Sequence, residues 1–290
     1  MFKNKIEYFA FISLAWLFRI NGVARARKLA LFLGKVFYYI VPIRKKTVIE
    51  NLKIAFPQKS ESEIVLLTKK TYQNFSLTFA ELLLMHYFSA KDLIDILDFS
   101  ESDEVLKKYF ATEKSFFLLS GHFGNWELTT FIPHIYGKRI NAMAKAMRNP
   151  YVSHWVNESR ERYGTKVVLL GPSIREIYKL LKENGIVLVI GDQRGPIDGV
   201  RVNWFNRSTS VFNGTAVLAL KTLSPILMMF FARQGNLKYK VVVKELPYDD
   251  ITGSDEEKIQ TICQRYFSFL EEIVKEYPDQ WFWMHKIWKY

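Results

Sequence analysis

The run Phe116-Phe117-Leu118-Leu119-Ser120-Gly121-His122-Phe123-Gly124-Asn125-Trp126-Glu127-Leu128 decides how the chain is read. Residues 116–119 form a strand-like apolar segment that stops at two small residues. The following Gly-containing turn then presents an imidazole and a carboxylate, His122 and Glu127. A turn at the end of a buried strand lifts side chains clear of the sheet, which is a common way to expose a reactive group. If Gly124 and Asn125 close the turn and Trp126 opens a helix, Glu127 falls in the first helical turn, within reach of the ring. Histidine titrates near neutrality, and a neighbouring carboxylate can fix its tautomer and stabilise the imidazolium. No serine, cysteine or threonine nucleophile is evident beside the pair. The residues therefore predict that His122 activates a hydroxyl of the substrate and Glu127 orients and charges the ring, which is the logic of an O-acyltransferase. A structural hydrogen bond between the two side chains is the competing reading.

Outward from this turn the chain alternates helix and strand. Toward the C-terminus the pattern predicts a helix over residues 126–135, a strand over 140–145, a helix over 150–163 and a strand over 166–170. A helix over 173–181 and a buried strand over 186–190 follow, then strands at 201–205, 226–231 and 237–243, with helices at 213–223 and 255–276. Such a rhythm argues for an α/β fold, a mostly parallel mixed sheet flanked by helices. On the N-terminal side, residues 103–110 read as a helix and residues 63–88 as a long apolar-periodic one. Ser60 and Glu63 form a capping box for the latter. Its stretch 77–86 is nearly all apolar and could serve as core or as part of an acyl-chain groove. Residues 45–55 read as a short basic helix stopped at Phe56-Pro57.

Two further apolar runs, residues 8–18 and 29–42, are flanked by Lys3, Lys5, Arg19, Arg44, Lys45 and Lys46. Each is short for a spanning helix. Together they suit a helix pair lying in one leaflet with its cations at anionic headgroups, and ordinary core helices are the alternative. The expected organisation is residues 1–45 as N-terminal membrane-associated helices and residues 46–290 as one α/β catalytic domain. Of 290 residues, 41 are Lys or Arg and 29 Asp or Glu, a formal charge of +12 that calls for acidic partners. One cysteine, Cys263, rules out an intramolecular disulfide and a thiolate-based zinc cluster, and a cytoplasm-facing location follows most simply. The histidines have no metal-ligand spacing, and the dinucleotide, P-loop, zincin and nucleophile-elbow motifs are missing.

The segment from His122 to Glu127 resembles the HX4D/E motif of membrane glycerolipid acyltransferases. In its Glu form it is similar to the lipid A biosynthesis (lauroyl/myristoyl) acyltransferase family of Gram-negative bacteria. Other stretches fit the same family in the same order: Arg44, Val48 to Leu52 and Phe56-Pro57; Asn149-Pro150 with Arg160 and Gly164; Gly191-Asp192-Gln193; and Pro278 with Trp283-Met284-His285-Lys286. The resemblance implies an acyl thioester donor on acyl carrier protein or CoA, no bound cofactor or metal, and a lipid A precursor as acceptor. It implies a bacterial inner-membrane location on the cytoplasmic face, an anionic membrane and acyl carrier protein as partners, and no nucleic acid. Relatives that acylate another lipid, such as a mannoside, an amino-acid lipid or a pigment, share the pattern, and the alternative outside the enzyme class is a non-catalytic basic protein that binds anionic membrane.

Ligands of open α/β sheets gather at the carboxyl ends of strands, where His122, Lys145, Arg148 and Asp192 all fall. Lys145, Arg148, Asn125, Asp192 and Gln193 are accordingly expected to bind substrate, with Lys145 standing where relatives often have arginine. From the resemblance, Arg160 joins His122 and Glu127 as a catalytic cation that binds substrate or stabilises the oxyanion. For each cation a solvated surface position is the alternative. The C-terminal cluster Trp281, Phe282, Trp283, Trp288 and Tyr290 can meet the membrane interface or close the core.

Overall fold

The computed structural model describes residues 2–169, 174–235 and 238–289. The expected strand end at Leu170, helix start at Ser173, strand start at Leu237 and the terminal Tyr290 lie outside those residues. The chain opens with α1 (Phe2–Tyr39), whose helical course is broken at Gly22, where φ 69° and ψ 166° leave the helical region. The run 8–18 and the run 29–42 up to Tyr39 thus lie in the two halves of one kinked helix, because glycine adopts a positive φ without steric cost. Among the described residues α1 alone is long and apolar enough to cross a bilayer by length and composition. Phe2, Ile6, Phe9, Trp16 and Ile20 form an exposed stripe along its first half, at helical spacing.

After Arg44 comes α2 (Lys45–Ala55), which ends before Phe56-Pro57 as expected, and then α3 (Glu61–Met85). Helix α3 begins at the Ser60–Glu63 capping box: the Ser60 side chain accepts from the Glu63 N–H and the Glu63 carboxylate accepts from the Ser60 N–H. Short α4 (Ala90–Ile94), β1 (Leu97–Asp98) and α5 (Asp103–Ala111) lead into β2 (Phe116–Ser120). A 3₁₀ segment over Trp126–Phe131 and then α6 (Ile132–Tyr136) occupy the helix expected after the motif. Then follow β3 (Ile140–Ala144), α7 (Pro150–Glu161), β4 (Thr165–Leu169), α8 (Ile174–Lys182) and β5 (Ile186–Ile190). A hairpin of β6 (Val200–Trp204) and β7 (Arg207–Val211) leads to α9 (Gly214–Thr222), β8 (Ile226–Arg233), β9 (Tyr239–Leu246) and α10 (Asp255–Glu276).

Among the described residues seven strands form one sheet in the order β1-β9-β8-β2-β5-β3-β4, with β8, β2, β5, β3 and β4 parallel and β9 antiparallel to β8. The mixed, mostly parallel sheet matches the expectation. Strand β2 is buried at every position and splits its side chains between two cores. Phe117 and Leu119 join Val187, Phe230 and residues of α2, α9 and α10, whereas Phe116 and Leu118 join Leu188, Phe231 and residues of α1, α3 and α7. Helices on both faces are what a continuous apolar run in a parallel strand requires. From β2 the chain crosses to β3, beyond β5, and from β5 it returns to β8, beyond β2. The carboxyl ends of neighbouring β2 and β5 therefore mark a point where connections leave in opposite directions, the position at which open α/β sheets form a crevice.

Candidate active site

Strand register brings the two halves of the site together. Phe116 to Ser120 pair in step with Ile186 to Ile190, and the Gly191 N–H donates to the Ser120 carbonyl at 2.9 Å. His122 and Asp192 each stand two residues beyond the last pair, so they emerge at the same height from adjacent strands. The Asp192 Oδ1 lies 2.6 Å from His122 Nδ1, and Oδ2 accepts from the His122 backbone N–H at 2.6 Å. The indole N–H of Trp281 donates to the same Oδ2 at 2.8 Å. Gly121 leaves room for this, since a Cβ there would stand 3.0 Å from Asp192 Oδ2.

Burial opposes charge on both members of the pair, but their mutual attraction outweighs it. The imidazole pKa is raised above its ordinary value by the Asp192 carboxylate, and the Asp192 pKa is lowered by His122 and its hydrogen bonds. With Nδ1–H donating to the Asp192 carboxylate, the lone pair sits on Nε2, 3.3 Å from the Gln193 side-chain nitrogen. Trp126 and Phe282 flank the ring, with centroids 5.2 and 6.1 Å away, and the side chain keeps 23% of its exposure.

Glu127 has a different task from the one its spacing suggests. Both its oxygens are taken by Arg160 of α7, Nε to Oε2 and Nη2 to Oε1 at 2.8 Å each, a bidentate ion pair. The Trp126 indole adds a third donor at 3.1 Å. Burial would raise the Glu127 pKa, yet Arg160 holds it below the ordinary carboxylate value. Glu127 makes no hydrogen bond to His122 among the described residues and bears on the ring through space alone. The expectation that Glu127 orients the imidazole is thus corrected: Asp192 holds that position, because register across β2 and β5 delivers it to Nδ1.

Asn125, expected to bind substrate, is buried and structural. Its Oδ1 accepts from the Glu127 N–H at 3.2 Å, capping the 3₁₀ segment, and its Nδ2 donates to Glu81 Oε2 at 2.9 Å. Gly124 adopts φ 56°, and a Cβ there would fall 1.8 Å from the Phe231 carbonyl oxygen. The turn is further fixed by the Gly124 N–H to Gln280 carbonyl bond at 2.9 Å and by the Phe282 N–H to His122 carbonyl bond at 2.9 Å. Lys145 and Arg148 follow β3, next to β5, and stand exposed with no hydrogen-bond or ion-pair partner among the described residues.

Two contributors carried little signal in the sequence. Trp281, read as either interface or core, is 2% exposed and supplies a donor to Asp192. His285 accepts the Arg194 N–H on Nε2 at 2.9 Å, and burial pushes its pKa down to about 4, so it stays neutral and pins the loop that carries Asp192 and Gln193. Its place in the Trp283-Met284-His285-Lys286 stretch was the one available clue. Cys263 is buried, and burial pushes its thiol up to about 12, which removes it as a nucleophile. Among the described residues no group of three or more His, Cys, Asp or Glu side chains could hold a metal ion.

Comparison with known proteins adds a family. The sequence model described as bacterial lipid A biosynthesis acyltransferase matches residues 2–290. No curated protein matches the chain. Among solved structures, the 1-acyl-sn-glycerophosphate (LPA) acyltransferase PlsC from Thermotoga maritima aligns at 16% identity over 88% of this chain and 99% of that one. Its TM-score of 0.38 is too low for any inference to rest on that likeness.

Proposed function

The chain belongs to the bacterial lipid A biosynthesis acyltransferase family and is an acyltransferase; on that footing we propose that it moves a fatty acyl chain from a thioester to a hydroxyl of a lipid A precursor, with His122 as the general base. The observation that carries the reading is the Asp192 carboxylate on His122 Nδ1, which leaves Nε2 as the proton acceptor at the carboxyl edge of the sheet. Nε2 takes the hydroxyl proton as the acceptor oxygen attacks the thioester carbonyl. The tetrahedral oxyanion then collapses, the carbon–sulfur bond breaks, and the imidazolium returns its proton to the departing thiolate. Asp192 stabilises the imidazolium between those two steps.

Arg160 uses Nε and Nη2 on Glu127, so Nη1 is the guanidinium group left to meet the oxyanion or a substrate phosphate. Exposed Lys145 and Arg148, off the neighbouring strand, suit phosphates of the acceptor or of the donor's pantetheine arm. The apolar stripe of α1 and the flanking cations support association with an anionic membrane, assigned here to the cytoplasmic face of the inner membrane. The +12 charge supports acyl carrier protein, an acidic partner, as donor.

The test is acyl transfer from labelled acyl carrier protein and, in parallel, acyl-CoA to a hydroxyacylated lipid A precursor in detergent micelles. Wild type should transfer and His122→Ala should lose at least about a hundredfold in rate. The preferred donor identifies the carrier. A wild type inactive with both donors would sink the lipid A assignment and direct the search to other hydroxylated lipids of the same family.

A further inference from the structure

The Asn125 side chain and the Gly124 carbonyl tie the turn to one buried carboxylate, Glu81 of α3, which is 2% exposed, and to its neighbours Thr78 and Arg233. Its Oε2 accepts from Asn125 Nδ2 at 2.9 Å and from Arg233 Nη2 at 3.1 Å, and also from the Tyr239 hydroxyl. Its Oε1 is 2.5 Å from Nη2 of Arg27, itself 3% exposed and carried by the second half of α1. Thr78, one helical turn before Glu81, donates to the Gly124 carbonyl at 2.7 Å and accepts from Arg233 Nη2 at 3.0 Å. The Arg233 N–H donates at 2.8 Å to Gln280 Oε1, and the Gln280 carbonyl takes the Gly124 N–H at 2.9 Å. Strand ends, the motif turn, the central helix and the N-terminal helix thus meet on a single side chain, and the C-terminal segment joins through the Arg233 backbone.

The chemistry sets what such a hub can do. Burial works against the Glu81 carboxylate, but Arg233 and Arg27 outweigh it and hold its pKa below the ordinary value. An ionised carboxylate in the interior keeps its donors in fixed positions, because an unpaired charge there is strongly disfavoured. Asn125 is one of those donors, and its other end caps the 3₁₀ segment through the Glu127 N–H at 3.2 Å. Displacing Arg27 would therefore unbalance Glu81, and the first groups able to respond are Asn125, Thr78 and Arg233, all of which hold the turn between His122 and Glu127. Arg27 lies five residues beyond the Gly22 kink, at the seat of the helix whose first half carries the exposed apolar stripe.

We propose that Glu81 is a positioning residue for acyl transfer, locking the Gly124-Asn125 turn to the N-terminal helix through Arg27, so that the seating of α1 sets the geometry of His122 and Glu127. Glu81 touches no reacting atom and acts through Asn125 and Thr78. The catalytic part of the proposal rests on the acyl-transfer reading above, whereas the mechanical coupling does not.

The full chain in detergent micelles provides the test, with Arg27→Gln, Glu81→Gln, the conservative Arg27→Lys, and Phe18→Leu as a control. Phe18 is a buried contact of the same helix, 1% exposed, outside the network. Three quantities are read: kcat and KM for the acyl donor, thermal midpoint, and amide hydrogen exchange over residues 124–128 by mass spectrometry. Arg27→Gln and Glu81→Gln should lower kcat at least tenfold with KM within about twofold, and speed exchange over the turn at least tenfold. Arg27→Lys should recover most of both effects. Phe18→Leu should lower the midpoint while leaving kcat and turn exchange unchanged. The proposal is overturned if the charge variants leave either kcat or turn exchange unaltered, or if Phe18→Leu reproduces their effects. Should Glu81→Gln fail to fold, Tyr239→Phe, which removes one donor from Oε2, must give an intermediate change in the same two readouts. If wild type proves inactive on every donor, the acyl-transfer reading fails on its own, and turn exchange in Arg27→Gln still decides the coupling.

Discussion

The Asp192 carboxylate grips His122 twice, with Oδ1 2.6 Å from the ring Nδ1 and Oδ2 2.6 Å from the backbone N–H. One bond sets the tautomer and the other fixes the backbone from which the ring projects. The pH dependence follows with a definite sign. The His122 pKa stands above its ordinary value of about 6.5, and a general base must be neutral. The rate should therefore rise with pH through that elevated value. In Asp192→Asn the attraction is gone while burial continues to disfavour the imidazolium, so the rising limb should move to more acid pH. The maximal rate should fall by about 10²- to 10⁴-fold as the tautomer is lost. A pH profile of kcat/KM for both proteins checks this, and an unmoved limb would show that another group sets it.

Glu127 and Arg160 form one unit. Removing Glu127 strands a largely buried guanidinium, a loss of about 3 kcal/mol or more, so Glu127→Ala should lower both the thermal midpoint and the rate. Arg160→Ala in the same background should then cost little further stability, a strong non-additivity that a double-mutant cycle measures. Arg160→Lys should not restore activity, because lysine cannot span both carboxylate oxygens. Additive losses would mean that the two side chains act separately.

At Gly124 the prediction is steric. A Cβ would meet the Phe231 carbonyl at 1.8 Å on a backbone already at φ 56°, so Gly124→Ala should destabilise by about 3 kcal/mol or more. Gly137, also at positive φ but with nothing near its Cβ position, should tolerate alanine at a cost of about 1 kcal/mol. Denaturant unfolding of the two variants compares them, and equal losses would sink the close-approach account.

The exposed stripe of α1 predicts a separable membrane step. Phe9→Ser with Trp16→Ser should weaken sedimentation with anionic vesicles at least about tenfold, since each substitution removes roughly 2 kcal/mol of apolar burial. The thermal midpoint should barely move, because both rings are already 76% and 57% exposed. Unchanged sedimentation would remove this stripe from the membrane reading.

Sequence by itself determined what short-range chemistry controls. Hydrophobic period and punctuation gave the alternating helices and strands, the Ser60–Glu63 capping box, the stop at Phe56-Pro57 and the delivery of His122 from the end of β2. Strand β7 escaped because Arg207-Ser208-Thr209-Ser210 is polar and carries no apolar alternation, its place being set by pairing with β6 and, at Val211, with Arg194. Tertiary structure alone decided who meets whom. Asp192 lies 70 residues along the chain from His122, and only the in-step pairing of β2 with β5 brings it to Nδ1. Asn125 turned inward because Glu81, 44 residues earlier, supplies an acceptor that no local pattern encodes. Local propensity is written in neighbouring residues, but register and buried charge pairing arise between distant ones, and those set which carboxylate serves the histidine.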